Sequence, residues 1–141
     1  MMASATHFLA AVADRRSVYA LSKEIPVSNE RILELVTEAL KHAPSPFNVR
    51  STQESTPAAI GILRPKIKGF VAAKGTAHAK LYPEWEEHSS SMNQLIAWTA
   101  LSAESVGANL QHYQPGITPY LQEKYGVDKS WRLKAQMVFG V

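Results

Sequence analysis

The feature that most constrains the fold of this chain is an apolar run with almost no wet side. From Met92 to Val106, the residues Leu95, Ile96, Ala97, Trp98, Ala100, Leu101, Ala103 and Val106 surround a helical axis nearly completely. Such a helix has to be covered on all sides, by its own core or at an interface with another chain. Glu84, Glu86 and Glu87 stand upstream, where they suit the positive end of a helix dipole. The spacing predicts one helix over 84–106, closed by Gly107 as its left-handed C′ residue. The surrounding 141 residues make one domain, 1–141, with no room for a second. A chain of this size can bury about 68% of its unfolded surface, so a core forms without staples.

Three further helices are expected. Thr6 to Asp14 carries Phe8, Leu9 and Val12 on one side and stops at the charged stretch Asp14-Arg15-Arg16. Ser28 caps a second helix with Ile32, Leu35, Val36, Ala39 and Leu40 on one stripe, ending by His42 or Ala43 because Pro44 and Pro46 follow. A short fourth runs from Pro119 to Tyr125, with Thr118 as cap and Gly126 as stop. Strands are predicted where Trp131, Leu133, Ala135, Met137 and Phe139 alternate with Arg132, Lys134, Gln136 and Val138, at the apolar run Ala58–Leu63, and at Ala108–Tyr113. The mixed segment 64–79 gives no clear period. The sum is an α+β domain around one dominant helix.

Several chemistries lack their residues. The chain has no cysteine, which removes disulfides, thiolate metal sites and a cysteine nucleophile, and fits a reducing, cytoplasmic compartment. His7, His42, His78, His88 and His112 show no metal-ligand spacing. There is no G-x-S-x-G elbow, no G-x-G-x-x-G and no phosphate-cradling P-loop. The net charge of +3 comes from scattered basic residues, not from the clustered stripe of a nucleic-acid binder. No apolar stretch is long enough to span a membrane, and no secretory signal is expected, since no basic segment with an apolar run stands at the start.

What remains is three polar loops beside apolar elements. In Asp14-Arg15-Arg16-Ser17-Val18-Tyr19, adjacent arginines and a hydroxyl suit an anionic phosphate. In Ala43–Gln53, prolines stiffen a loop in which Asn48 offers both a donor and an acceptor to an amide-like edge. Gly107–Pro115 leaves the apolar helix and gathers backbone N–H groups with Asn109, Gln111, His112 and Gln114. On spacing alone, a solvated helix end and an ordinary loop account for the first two more simply.

The loops in this order, with their flanks, resemble one family. The matching blocks are R-R-S-V-Y-A-L (15–21), A-P-S-P-F-N-V-R-S-T-Q (43–53), G-F-V-A-A-K-G-T (69–76), W-T-A-L-S-A-E-S-V-G-A-N-L-Q-H-Y-Q-P (98–115) and W-R-L-K-A-Q-M-V-F-G (131–140), with the capped helix after Pro26. Collinear over most of the chain, they are similar to the nitroreductase-like flavoproteins, in particular a fungal and bacterial oxidative-stress branch.

The resemblance implies a nitroreductase-like α+β fold, an antiparallel sheet packed around a central buried helix, in a homodimer that holds FMN at its interface. It implies NAD(P)H as reductant and a nitroaromatic or quinone-like small molecule as acceptor. Arg15 and Ser17, with Arg16 beside them and Tyr19 following, are implied as phosphate and ribityl contacts. Asn48 matches the residue that reads the flavin's pyrimidine edge, Arg50 falls on its carbonyl side, and Gln111 and His112 fall near its N5 side. No catalytic acid or base is required of the protein, because the flavin carries the chemistry.

Two differences from the family define a second reading. Arg50 stands where the family usually has Gln, and Gln53 where it has Arg. The chain is also shorter, in the middle after Thr76 and beyond Gly140. A shortened relative without flavin, binding or transforming a small molecule by non-redox chemistry, is the alternative they suggest.

Overall fold

The computed structural model describes residues 5–45, 53–55, 60–64, 80–129 and 132–141. The apolar run lies in the helix α3, Tyr82–Ala103, of the series α1 (Ala5–Asp14), α2 (Asn29–His42), β1 (Gln53–Ser55), β2 (Ile60–Arg64), α3, β3 (Gly107–Gln111), α4 (Thr118–Lys124) and β4 (Arg132–Gly140). One stripe of α3, Ser89, Asn93, Ala97 and Leu101, is buried inside the chain. Its spacing of about four residues is the helix face turned to the core. On the other side Met92 and Leu95 remain 38% and 43% exposed. The single chain therefore covers one side of this helix and leaves an apolar side open.

Ile32 and Val36 of α2, Leu101 of α3, Val106, Ala108 of β3 and Met137 of β4 form the main core, with Trp98 and Phe139 packed on it. Burying each of the Val, Leu, Ile and Met side chains contributes about 1.5–3 kcal/mol, and Ala108 less. A smaller cluster joins Leu121 of α4 to Leu133 of β4, with Ile117, Tyr125 and Val127 around them. Helix α2 is seated by the Ser28 hydroxyl, which accepts from the Arg31 N–H as anticipated. Arg31 also ties α2 to the end of α3 through Glu104, at 2.5 Å, and the carboxylates of Glu104 and Glu34 hold its guanidinium pKa above the ordinary value.

The strands form one antiparallel sheet in the order β1-β2-β4-β3. The predicted alternation holds in β4 in part: Leu133, Ala135 and Met137 are buried and Val138 is exposed, but Gln136, expected on the outer face, is buried too. The short strand β1 was not anticipated: Gln53-Glu54-Ser55 has no apolar alternation in its sequence, yet it pairs antiparallel with β2. The segment 65–79, unassigned from the sequence, lies outside the described residues.

The expected role of Gly107 is corrected. Helix α3 ends earlier, and Ser105, with φ 62°, is the left-handed residue. Ser105 N–H donates to Ser102 O and Val106 N–H to Leu101 O, a Schellman closure in which Val106 and Leu101 touch in the core. Gly107 instead opens β3 and pairs with Gly140 of β4. A Cβ on Gly107 would press on Val18 and Leu21, and one on Gly140 would land on the carbonyl oxygen of Ser22. The facing glycines form a notch in which the segment after α1 lies flat on the end of the sheet.

Candidate functional site

Residues 15–22 occupy that notch. Ser17 makes a parallel bridge to Ala108 of β3, the Val18 N–H donates to Ala108 O at 3.0 Å, and the Ser22 N–H donates to Val141 O at 2.6 Å. The first and third polar loops, ninety residues apart in sequence, are thus laid side by side on the free edge of β3.

A side-chain relay reinforces the contact. Asn109, 4% exposed, donates its amide N–H to Val18 O at 2.7 Å, and its Oδ1 accepts from the Gln111 amide at 2.5 Å. Asn109 and Gln111 alternate along β3 and so share a face of the strand. Beyond them Gln136 of β4, opposite Gln111 in register, accepts from the Tyr113 N–H at 2.9 Å. The Gln114 amide donates to the carbonyls of Leu133 and Lys134. Amide side chains thus link the end of β3 to β4 without any net charge; Asn109 both donates and accepts, whereas the buried amide nitrogen of Gln136 has no acceptor among the described residues.

Arg15 sits at the start of this assembly. Its guanidinium carbon lies over the Trp98 ring of α3, 4.4 Å from the centroid, within cation–π range. Its Nε is buried and has no acceptor among the described residues, as is true of Trp98 Nε1. A buried donor left unpaired costs about 1–3 kcal/mol, and an anion's oxygen would satisfy this one. Arg16, Ser17 and Tyr19 are exposed, Tyr19 at 75%.

The structure thus brings Arg15, Ser17 and Gln111 into one continuous assembly and leaves Arg16, Tyr19 and His112 at its exposed margin. Asn48 and Arg50 lie outside the described residues. Three residues without an assigned role in the sequence prove central to the geometry: Asn109, Trp98 and Gln136. The i, i+2 spacing of Asn109 and Gln111 on a strand was a usable signal for the first. Trp98 carried none, because any aromatic in an apolar helix looks like core.

No group of His, Asp or Glu able to hold a metal occurs among the described residues, and none of the helices described there is long and apolar enough to cross a membrane.

No family model matches the chain. It is 27% identical to the nitroreductase FRM2 of Saccharomyces cerevisiae over 178 aligned residues, covering 99% of this chain and 90% of FRM2. The alignment exceeds the 141 residues of the chain, so FRM2 carries stretches that this chain skips. The nitroreductase CinD from Lactococcus lactis, solved with 4-nitrophenol and with chloramphenicol, superimposes with a TM-score of 0.85 at 24% identity, over 94% of this chain and 88% of CinD. A nitroreductase-like protein of Desulfovibrio desulfuricans, solved in complex with FMN, matches with a TM-score of 0.64 at 16% identity, over 99% of this chain and 87% of that one. The expected fold is therefore the one observed.

Proposed function

We propose that this chain, nitroreductase-like in sequence and in fold, is an FMN-dependent NAD(P)H oxidoreductase that reduces nitroaromatic or quinone-like small molecules as a homodimer. The observation that carries the reading is Arg15, a partly buried cation whose Nε lacks an acceptor, stacked on Trp98 two residues before the Ser17 bridge to β3, and the residue that the family resemblance implies as a phosphate contact. That donor set fits a phosphate. Arg15 would bind it by charge-assisted hydrogen bonds, and the exposed Ser17 hydroxyl would add a neutral donor. The chemistry supplied by bound FMN is hydride transfer from NAD(P)H to the acceptor.

The rest is orientation. The Asn109–Gln111 relay would fix the strand end from which Gln111 and His112 approach the ring system, and Asn48 and Arg50 would read its polar edge. The complexes of CinD with 4-nitrophenol and chloramphenicol, both of which carry a nitrophenyl ring, support nitroaromatic compounds as substrates. The open apolar side of α3, around Met92 and Leu95, supports a second copy as its cover.

The test is direct. Purified protein mixed with FMN and passed through gel filtration should elute yellow, and NADPH or NADH should bleach the flavin band anaerobically. Protein that elutes without flavin after saturation would remove the redox reading. The flavin-free alternative would then be examined by screening small molecules for thermal stabilisation, an alternative that the stretches skipped relative to FRM2 favour.

A further inference from the structure

We infer that Trp98 is a positioning residue that holds the Arg15 guanidinium in place for the oxyanion it binds, an inference resting on the phosphate-binding role proposed above. Lys124, on the exposed surface, also lies over aromatic rings, those of Tyr120 and Tyr125, but three other cations are handled differently. Arg31 is paired with Glu34 and Glu104, Lys41 with Glu38, and Lys134 with Glu87. Among the described residues no carboxylate pairs with Arg15; its partner is the indole face of Trp98. A carboxylate would have cancelled the charge and competed with an incoming anion. An aromatic face attracts the cation through its quadrupole and leaves the full positive charge in place.

Arg15 needs such a support. It follows α1 directly, and α1 contributes no buried residue to the core, so that helix anchors its own C-terminal end poorly. Trp98 does reach the core: it packs against the cluster of Ile32, Leu101 and Met137. The order of rigidity is therefore core, indole, guanidinium, anion. The buried, acceptor-less Nε shows that the stack brings a donor out of water before any acceptor is there. Such preorganisation lowers the ordering cost of binding.

The test compares Trp98→Phe, which keeps an aromatic face, with Trp98→Leu, which keeps apolar bulk but no face. FMN and riboflavin are titrated by flavin fluorescence, and inorganic pyrophosphate is titrated by thermal shift as a probe that needs no flavin ring. Trp98→Leu should weaken FMN by about 10-fold, abolish the pyrophosphate shift and leave riboflavin affinity unchanged, while Trp98→Phe stays within about 3-fold of the parent. Equal loss for FMN and riboflavin, or a Phe variant as poor as the Leu variant, would overturn the inference. If the parent is stabilised by pyrophosphate in this Trp98-dependent way but binds neither flavin, the inference stands and the FMN reading fails. If pyrophosphate and FMN both leave the parent unaffected, the two fall together.

Discussion

At the scale of single residues, the site separates two arginines that the sequence presents as equals. Arg15 is half-buried over Trp98 with an unsatisfied Nε, whereas Arg16 is exposed. Arg15→Ala should therefore weaken FMN binding by about 1.5–3 kcal/mol, the loss of a charge-assisted contact, while Arg16→Ala changes it by less than about 1 kcal/mol. Fluorescence titration of both variants decides the matter, and equal losses would show that only overall charge counts. Asn109 carries a different kind of weight. Asn109→Leu keeps the volume but strands the Val18 carbonyl and the Gln111 amide, both of which depend on it. The expected cost is about 2–3 kcal/mol in urea unfolding, with faster amide exchange at Val18. The sequence made the polar character of these loops legible, and the family resemblance singled out Arg15, Ser17 and Gln111. It did not reveal the roles of Asn109 and Trp98, because a relay and a stack depend on which loop lies against which strand. That is fixed by the close approach at Gly107 and Gly140, not by the spacing of the residues involved.

At the scale of elements, the helices were legible wherever a periodic stripe met a chemical stop. Ser28 and Pro44 bound α2 closely, and the Pro119–Gly126 frame gave α4 to within a residue, although Thr118 is its first helical residue and not the expected cap, a place taken by Ile117. The end of α3 was displaced because two residues competed for one role, and the glycine was needed elsewhere. Ser105 bears the left-handed conformation, which costs a residue with a Cβ about 1 kcal/mol or more. Gly126, at the matching position after α4, has the same φ of 62° and the same closure, with the Val127 N–H donating to Gln122 O at 2.8 Å. The two caps make opposite predictions. Ser105→Gly should raise the thermal midpoint by about 2–4 °C, and Gly126→Ala should lower it by a similar amount. Shifts of the same sign in calorimetry would show that the cap conformation does not set the energy. Strand β1 was illegible for a related reason: an edge strand of three residues is chosen by its neighbour's unpaired backbone, and its own side chains need no pattern.

At the scale of the whole molecule, the apolar run of α3 left one alternative open, a core helix or an interface helix, and its two sides divide the answer. Leu101 and Ala97 are wholly buried within the chain, while Met92 and Leu95 face out, as do Phe8 and Leu9 of α1. Scattered exposed leucines are ordinary, but Met92 and Leu95 lie three residues apart on one side of a long helix and so form a strip. In a two-fold dimer one such strip meets its own copy, each residue contributing twice. A charge placed there is repeated across the axis and loses water on both copies. Leu95→Glu should therefore turn a dimer into a monomer in sedimentation velocity. Because Leu95 lies outside the core clusters, the variant should still unfold cooperatively. Leu101→Ala, by contrast, opens a cavity costing about 2–5 kcal/mol and lowers stability without separating the copies first. If the flavin is held between subunits, the Leu95→Glu monomer should also lose FMN although Arg15 and Trp98 are untouched. A Leu95→Glu protein that stays dimeric would move the interface to another surface, and one that is monomeric yet still yellow would place the whole flavin site within a single chain.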